Sequence, residues 1–424
     1  MVRLQQTYDE IYFGSFFGHL VVRFLFLWIG WSAAFRDSSN FFAKKLLALK
    51  LVEKTVAFCG LLLSDPPLRN LANAFLTSRF GGLILRFARL WQPLLIRSAY
   101  VYYIQYTVLF TLLWLPLSYY SSYILPHRYG LSHEPINLWL IQLAEDSAVD
   151  MLLSGVLFAA VVWGILIYPR RFAFIFALWS APIIFLGIFF NPFFDRLDNH
   201  FTPLPASSAL YAPLHRLAAN SGVPSAEILV ADKSKQTNET NAYVTGLGSS
   251  AQIVLWDTLI KTMPPDEIVA ITGHELGHYV EHHVIIGGVL AALSMFIFLP
   301  IVKLLAELLL AWFGPRFKIA NLADPAALPI FAISLSLLTF VLSPVTNGLS
   351  RMIEHRADSF GLAATGNRLA MAHALVDLSN ENLSNPYPPR WEVFWLDDHP
   401  PFGERIKFAL TGQPFNGPRP SVNP

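Results

Sequence analysis

Residues 264–283 read Pro264-Pro265-Asp266-Glu267-Ile268-Val269-Ala270-Ile271-Thr272-Gly273-His274-Glu275-Leu276-Gly277-His278-Tyr279-Val280-Glu281-His282-His283, and an apolar run follows at once. The stretch predicts a helix. Thr262 can cap it, two prolines suit its first turn, and Asp266 and Glu267 complement the dipole. His274 and His278 are four apart, so both imidazoles share one helix face, about 6 Å apart, and can converge on one ion. Glu275, one residue round the helix, reaches a metal-bound water rather than the metal. Zinc draws the pKa of such a water toward about 7, and a carboxylate can take its proton.

Two histidines leave a zinc site short of a ligand. A third histidine in the metzincin pattern would need Gly at 281 and His at 284, where Glu281 and Val284 stand. His282 is eight residues from His274, about 12 Å along a straight helix, too far to share the ion. His282 and His283 therefore read as interfacial residues or as partners behind the ligands. The third ligand must come from another element. Arg351-Met352-Ile353-Glu354-His355-Arg356-Ala357-Asp358 begins where the last apolar span ends, with Glu354 and Asp358 again four apart. Glu354 could ligate while Asp358 holds a ligating histidine. A charged helix end snorkelling at the membrane interface is the competing reading. His399 and Arg405, in His399-Pro400-Pro401-Phe402-Gly403-Glu404-Arg405, could stabilise an oxyanion beside a zinc.

Composition supplies the setting. Hydrophobic residues make up 54% of the 424 residues and charged ones 14%, against about 25% in soluble domains. Residues 98–125, 151–168, 172–194, 284–302 and 325–350 hold no Asp, Glu, Lys or Arg, and each can cross a hydrocarbon core of about 30 Å. Residues 11–34 form a sixth span, interrupted by His19 and Arg23 and too long for a signal-peptide core. Residues 46–95, broken by Glu53, Lys54, Asp65, Arg86 and Arg89, hold a seventh span or interfacial helices. The chain reads as a multi-pass integral membrane protein. Its net charge of +1, with no basic run, argues against a nucleic-acid partner. Cys59 is its single cysteine, which excludes an intrachain disulfide or a CxxC site.

The expected organisation is membrane helices at 1–194 and the first part of a metal-binding domain, a small sheet with the HExxH helix, at 195–283. Two membrane helices follow at 284–350, the second part of that domain, with the third ligand and the His399 motif, at 351–412, and a disordered tail at 413–424. An even number of crossings between the polar parts puts them on one face, able to build one site. Residues 227–231, 242–247 and 252–256 read as strands, with Gly248-Ser249-Ser250 as a hairpin turn. Alternating spans put Arg79, Arg86, Arg89, Arg97, Arg170, Arg171, Arg316 and Lys318 opposite the zinc face, and the positive-inside rule then sets that face outside the cytoplasm.

Further motifs complete the pattern: Leu115-Pro116-Leu117-Ser118-Tyr119-Tyr120 with Arg128-Tyr129-Gly130-Leu131, and Asn241-Ala242-Tyr243-Val244-Thr245-Gly246-Leu247 with Ile253-Val254-Leu255-Trp256-Asp257-Thr258-Leu259. With HELGH, Glu354, Asp358 and the run from His399 to Arg405, residues 100–410 resemble the CAAX prenyl protease family, the Ste24-type M48 metallopeptidases. The resemblance implies about seven membrane helices around an intramembrane chamber, with a small β-sheet beside the zinc. It implies one zinc per chain, held by His274, His278 and Glu354, with Glu275 as general base. It makes His399 and Arg405 stabilisers of the scissile carbonyl, and Asn241, Ala242, Tyr243 and Val244 the strand on which an extended peptide adds. It also implies a cytoplasm-facing site, against the charge bias. The expected function is cleavage near the C-terminus of a membrane-associated peptide, lipidated or unmodified. A quality-control protease without lipid requirement and a membrane scaffold with structural zinc are the alternatives. The scaffold would need four protein ligands, and three are found.

Overall fold

The computed structural model describes residues 2–28, 30–48, 94–246 and 248–412. The N-terminal half is helical: α1 (Val2–Trp28), α2 (Trp31–Ala48), α3 (Leu94–Ser118), a π-helical turn (Tyr119–Ile124), α4 (Leu125–Arg128), α5 (Ile136–Ile167) and α6 (Phe172–Asp198). The remainder carries β1 (Phe201–Pro203), α7 (Tyr211–Asn220), β2 (Glu227–Ala231), β3 (Ala242–Thr245), β4 (Gln252–Trp256), α8 (Asp257–Thr262), α9 (Pro265–Val280), α10 (His283–Phe317), α11 (Leu328–Thr365), α12 (Arg368–Glu381), α13 (Arg390–Trp395) and α14 (Phe402–Thr411).

Among the described residues six helical stretches are long and apolar enough to cross a membrane: Glu10–Trp28, Leu94–Arg128, Ile136–Ile167, Phe172–Phe193, His283–Phe317 and Pro325–Thr365. Outward side chains such as Leu153, Leu178, Ile183, Ile297 and Trp312 are exposed and apolar, as lipid contact requires. The protein is a multi-pass integral membrane protein, mainly helical. The candidate seventh span lies almost wholly outside the described residues, as does the tail at 413–424.

Several span boundaries differ from the hydropathy reading; the helix expected at 151 already begins at Ile136. The first span stops at Trp28 rather than at 34, because Gly30 (φ +78°) turns the chain into α2. The span read as 284–302 continues to Phe317, since Lys303 pairs with Glu307 one turn on (2.8 Å) and so offsets its own charge. The last span runs unbroken past 350 to Thr365, carrying Glu354 and Asp358 beyond its apolar part.

The sheet has the order β1-β2-β4-β3. β2 and β4 are parallel, while β1 and β3 pair antiparallel at its two edges. β1 escaped the sequence reading because three residues ending in proline carry no period. β3 ends at Thr245, two residues short of expectation. Gly246 (φ +86°) opens the turn into β4, and a Cβ there would lie 2.1 Å from Ser250 O, which only glycine avoids. Beneath the sheet Leu214, Ile228, Ile253, Leu255, Leu259, Ile268 and Leu276 form one core, which holds α9 against the strands. Thr262 does not cap α9: its hydroxyl donates back to Thr258 O within α8, and Pro264 takes the N-cap position.

Candidate metal centre

The site forms where α9 crosses α11. The crossing is close because glycines face it: a Cβ on Gly361 would lie 2.8 Å from His274 N, and one on Gly277 3.1 Å from Ala357 Cα. At that separation Glu354 and Asp358, one turn apart on α11, stand beside the two histidines of α9. His274 Nε2 is 3.2 Å from His278 Nε2 and 3.3 Å from Glu354 Oε2, and His278 Nε2 is 3.3 Å from Glu354 Oε1. Four ligands tetrahedrally placed about 2.0–2.1 Å from a zinc are separated by about 3.3 Å, so these three groups fit its geometry. Glu354 Oε2 is buried without a hydrogen-bond partner, as expected of an oxygen kept for an ion. Among the described residues this is the only group of three or more such ligands with donor atoms within 4.8 Å of one another.

The surrounding charges organise the ligands. Asp358 Oδ1 lies 2.8 Å from His274 Nδ1, which turns Nε2 toward the site. Arg405 clasps Asp358, with Nε 2.9 Å from Oδ2 and Nη2 2.7 Å from Oδ1. Burial alone would lower the His274 pKa, but the adjacent carboxylates of Asp358 and Glu354 outweigh it and raise it to about 9. Burial raises the carboxyl of Glu275 despite the neighbouring histidines.

His399 comes from the turn after α13. Its Nε2 stands 3.4 Å from Glu354 Oε1, and its Nδ1 bonds Asp398 (2.7 Å), which raises its pKa above the ordinary value. The structure thus gathers His274, Glu275, His278, Glu354, Asp358, His399 and Arg405 at one place. Arg405, expected at the scissile carbonyl, already bonds both oxygens of Asp358. Asn241, Ala242, Tyr243 and Val244 lie on or beside the edge strand β3, and the Tyr243 hydroxyl donates to Asp195 at the end of α6, tying the strand to a membrane helix.

A cavity of about 1250 Å³ adjoins the centre at Asn241, His399 and Arg405. It extends between α1 and α11, past Tyr12, His19 and Ser343. Two supporting residues escaped the sequence reading. Asn347 donates to Trp395 O (2.9 Å) and Arg351 to Val393 O (2.7 Å), so α11 also fastens the segment that presents His399. Only their place on the helix of Glu354 could have signalled them.

Comparison with known proteins agrees with this geometry. A model described as "Peptidase family M48" matches residues 207–412, and one described as "CAAX prenyl protease N-terminal, five membrane helices" matches residues 69–195. The chain is 32% identical over 307 residues to the "Uncharacterized metalloprotease YhfN" of Bacillus subtilis, covering 70% of each. The chain belongs to peptidase family M48. Within this family it resembles the CAAX prenyl protease 1 of Saccharomyces cerevisiae, at 28% identity over 70% of this chain and 68% of that one. The crystal structure of S. mikatae Ste24p superposes with a TM-score of 0.63 and 26% identity, over 74% of this chain and 75% of the other. The chain is therefore a membrane metallopeptidase of the Ste24 type.

Proposed function

We propose that this M48 peptidase is a zinc endopeptidase that cuts near the C-terminus of a membrane-associated peptide held in the chamber. One observation carries the reading: three ligand atoms at tetrahedral spacing, with Glu275 next to them, and a cavity large enough for a peptide that reaches this centre at His399 and Arg405. His274, His278 and Glu354 hold the ion. Zinc, when bound, supplies Lewis acidity for the scissile carbonyl and for a water. Glu275 takes a proton from the attacking water and passes it to the leaving amine. His399 donates a hydrogen bond where charge develops on the carbonyl oxygen. Arg405 adds positive charge and fixes Asp358, and through it His274. The peptide aligns as a further strand on β3, beginning at Asn241.

The names of the relatives suggest a prenylated CAAX substrate. The walls of the cavity also fit a second reading: Ser15, Asn347, Asn382 and Asn385 stand among Ile11, Phe16, Trp395 and Leu396, a mixed lining that takes an unmodified peptide and suits a role in membrane-protein quality control. Cleavage by the detergent-purified protein of a peptide ending in a CAAX motif, farnesylated and unmodified, with and without a zinc chelator, decides between them. Chelator-sensitive cutting of the farnesylated form alone supports the prenyl-protease reading. Equal cutting of both supports the second. No cutting of either by the zinc-loaded protein turns the argument toward a scaffold.

A further inference from the structure

The two histidine ligands are steadied by different means. His274 leans on Asp358 and Arg405, whereas His278 turns away from both. At the end of α9 the chain takes a left-handed step at His282 (φ +57°), and this folds His283, the first residue of α10, back over the ligand five positions before it. His283 Nδ1 lies 3.2 Å from His278 Nδ1. On its far side His283 Nε2 lies 3.2 Å from Glu281 Oε2, and that oxygen accepts from Arg356 Nε at 2.8 Å. The His283 side chain is 5% exposed, so water does not compete freely for these contacts.

We propose that His283, oriented by Glu281 and Arg356, is the positioning residue that presents His278 to the metal. The reading rests on the zinc assignment above. Its logic is one of hydrogen placement. A carboxylate only accepts, so His283 carries its proton on Nε2. Its Nδ1 is then a lone pair, and it accepts from His278 Nδ1. His278 Nε2 is thereby left unprotonated and aimed at the ion. Loss of such a partner typically costs about 10- to 100-fold in metal affinity.

The test measures zinc affinity of the full-length, detergent-purified protein by chelator competition. His283→Phe, which keeps a ring but has no acceptor, is expected to bind zinc about 10- to 100-fold more weakly. His283→Gln, whose amide oxygen can accept the same hydrogen, is expected to recover much of that loss, which a merely space-filling role would not. Glu281→Gln is expected to lower affinity by less, and it keeps the proposal testable if His283→Phe fails to fold. Wild-type affinity in both His283→Phe and Glu281→Gln overturns the relay while leaving the zinc reading intact. A wild-type protein that takes up no zinc overturns both.

Discussion

At the level of single residues, Glu275 separates chemistry from metal binding, because it adjoins the ligands without being one. Glu275→Gln is expected to hold zinc at one ion per chain while turnover falls by about 10²- to 10⁴-fold. Metal analysis beside a peptide-cleavage assay checks this, and retained turnover would remove the base. His274 gives a pH dependence. Without metal, Asp358 and Glu354 hold it protonated up to a pKa of about 9, although burial opposes this. Zinc needs the neutral ring, so binding expels a proton at any pH below that value. The apparent zinc affinity is expected to rise by about tenfold per pH unit from His274 alone, and to level off near pH 9. Calorimetry in two buffers of different ionisation enthalpy reads the released proton directly, and an affinity flat from pH 6 to 9 would show a ring already neutral. The sequence exposed both ligands and Glu275 through their spacing, but it could not show which nitrogen each ring turns toward the metal. That depends on Asp358 and His283, which reach the ligands only after the chain folds back.

Among the helices, the crossing of α9 and α11 decides whether the ligands meet. Gly361 has backbone where a Cβ would go, so even one methyl group must push the helices apart. Gly361→Ala is expected to destabilise the peptidase part by about 1–3 kcal/mol and to weaken zinc binding with no ligand altered. Denaturant unfolding and chelator competition measure the two effects, and unchanged zinc affinity would mean that the centre tolerates a wider crossing. The HELGH run displays Gly277, yet nothing in the sequence pairs Gly277 with Ala357 or Gly361 with His274. The spans show the same limit in another form. Hydropathy finds where a helix meets lipid: the five charge-free windows fell on helical stretches, while the window at 11–34 was broken at Gly30. It does not find where the helix ends. α5 begins at Ile136, before Glu145, Asp146 and Asp150, and α11 continues past its apolar part because Asp358 has Arg405 as a partner. The strands were legible where apolar β-formers gather, at β2, β3 and β4, and lost at β1, where Pro203 ends a three-residue strand.

In the molecule as a whole, peptidase and membrane parts share one cavity, and its walls have a pattern of their own. Tyr8, Tyr12, Ser15 and His19 follow one another along α1 at spacings of four, three and four. Thr339, Ser343 and Thr346 do the same along α11, at four and three. These are helical periods, so each membrane helix carries a polar stripe facing the cavity and an apolar surface facing lipid. A span that also lines water needs both. The stripes were present in the sequence, but a hydropathy average over 18 residues erases them. If the substrate threads this cavity, filling it should hinder substrate and spare metal. Thr339→Trp places an indole in the cavity, fifteen residues and about four helical turns before Glu354 on α11. The expected result is stoichiometric zinc with a several-fold higher KM for a long membrane-associated peptide, and a smaller change for a short peptide that reaches only β3 and the centre. A comparison of KM for the two lengths, with zinc measured on the same sample, makes the test. Equal effects on both lengths would place the indole's influence at the centre itself. No effect on either would mean that the peptide reaches the zinc without passing between α1 and α11.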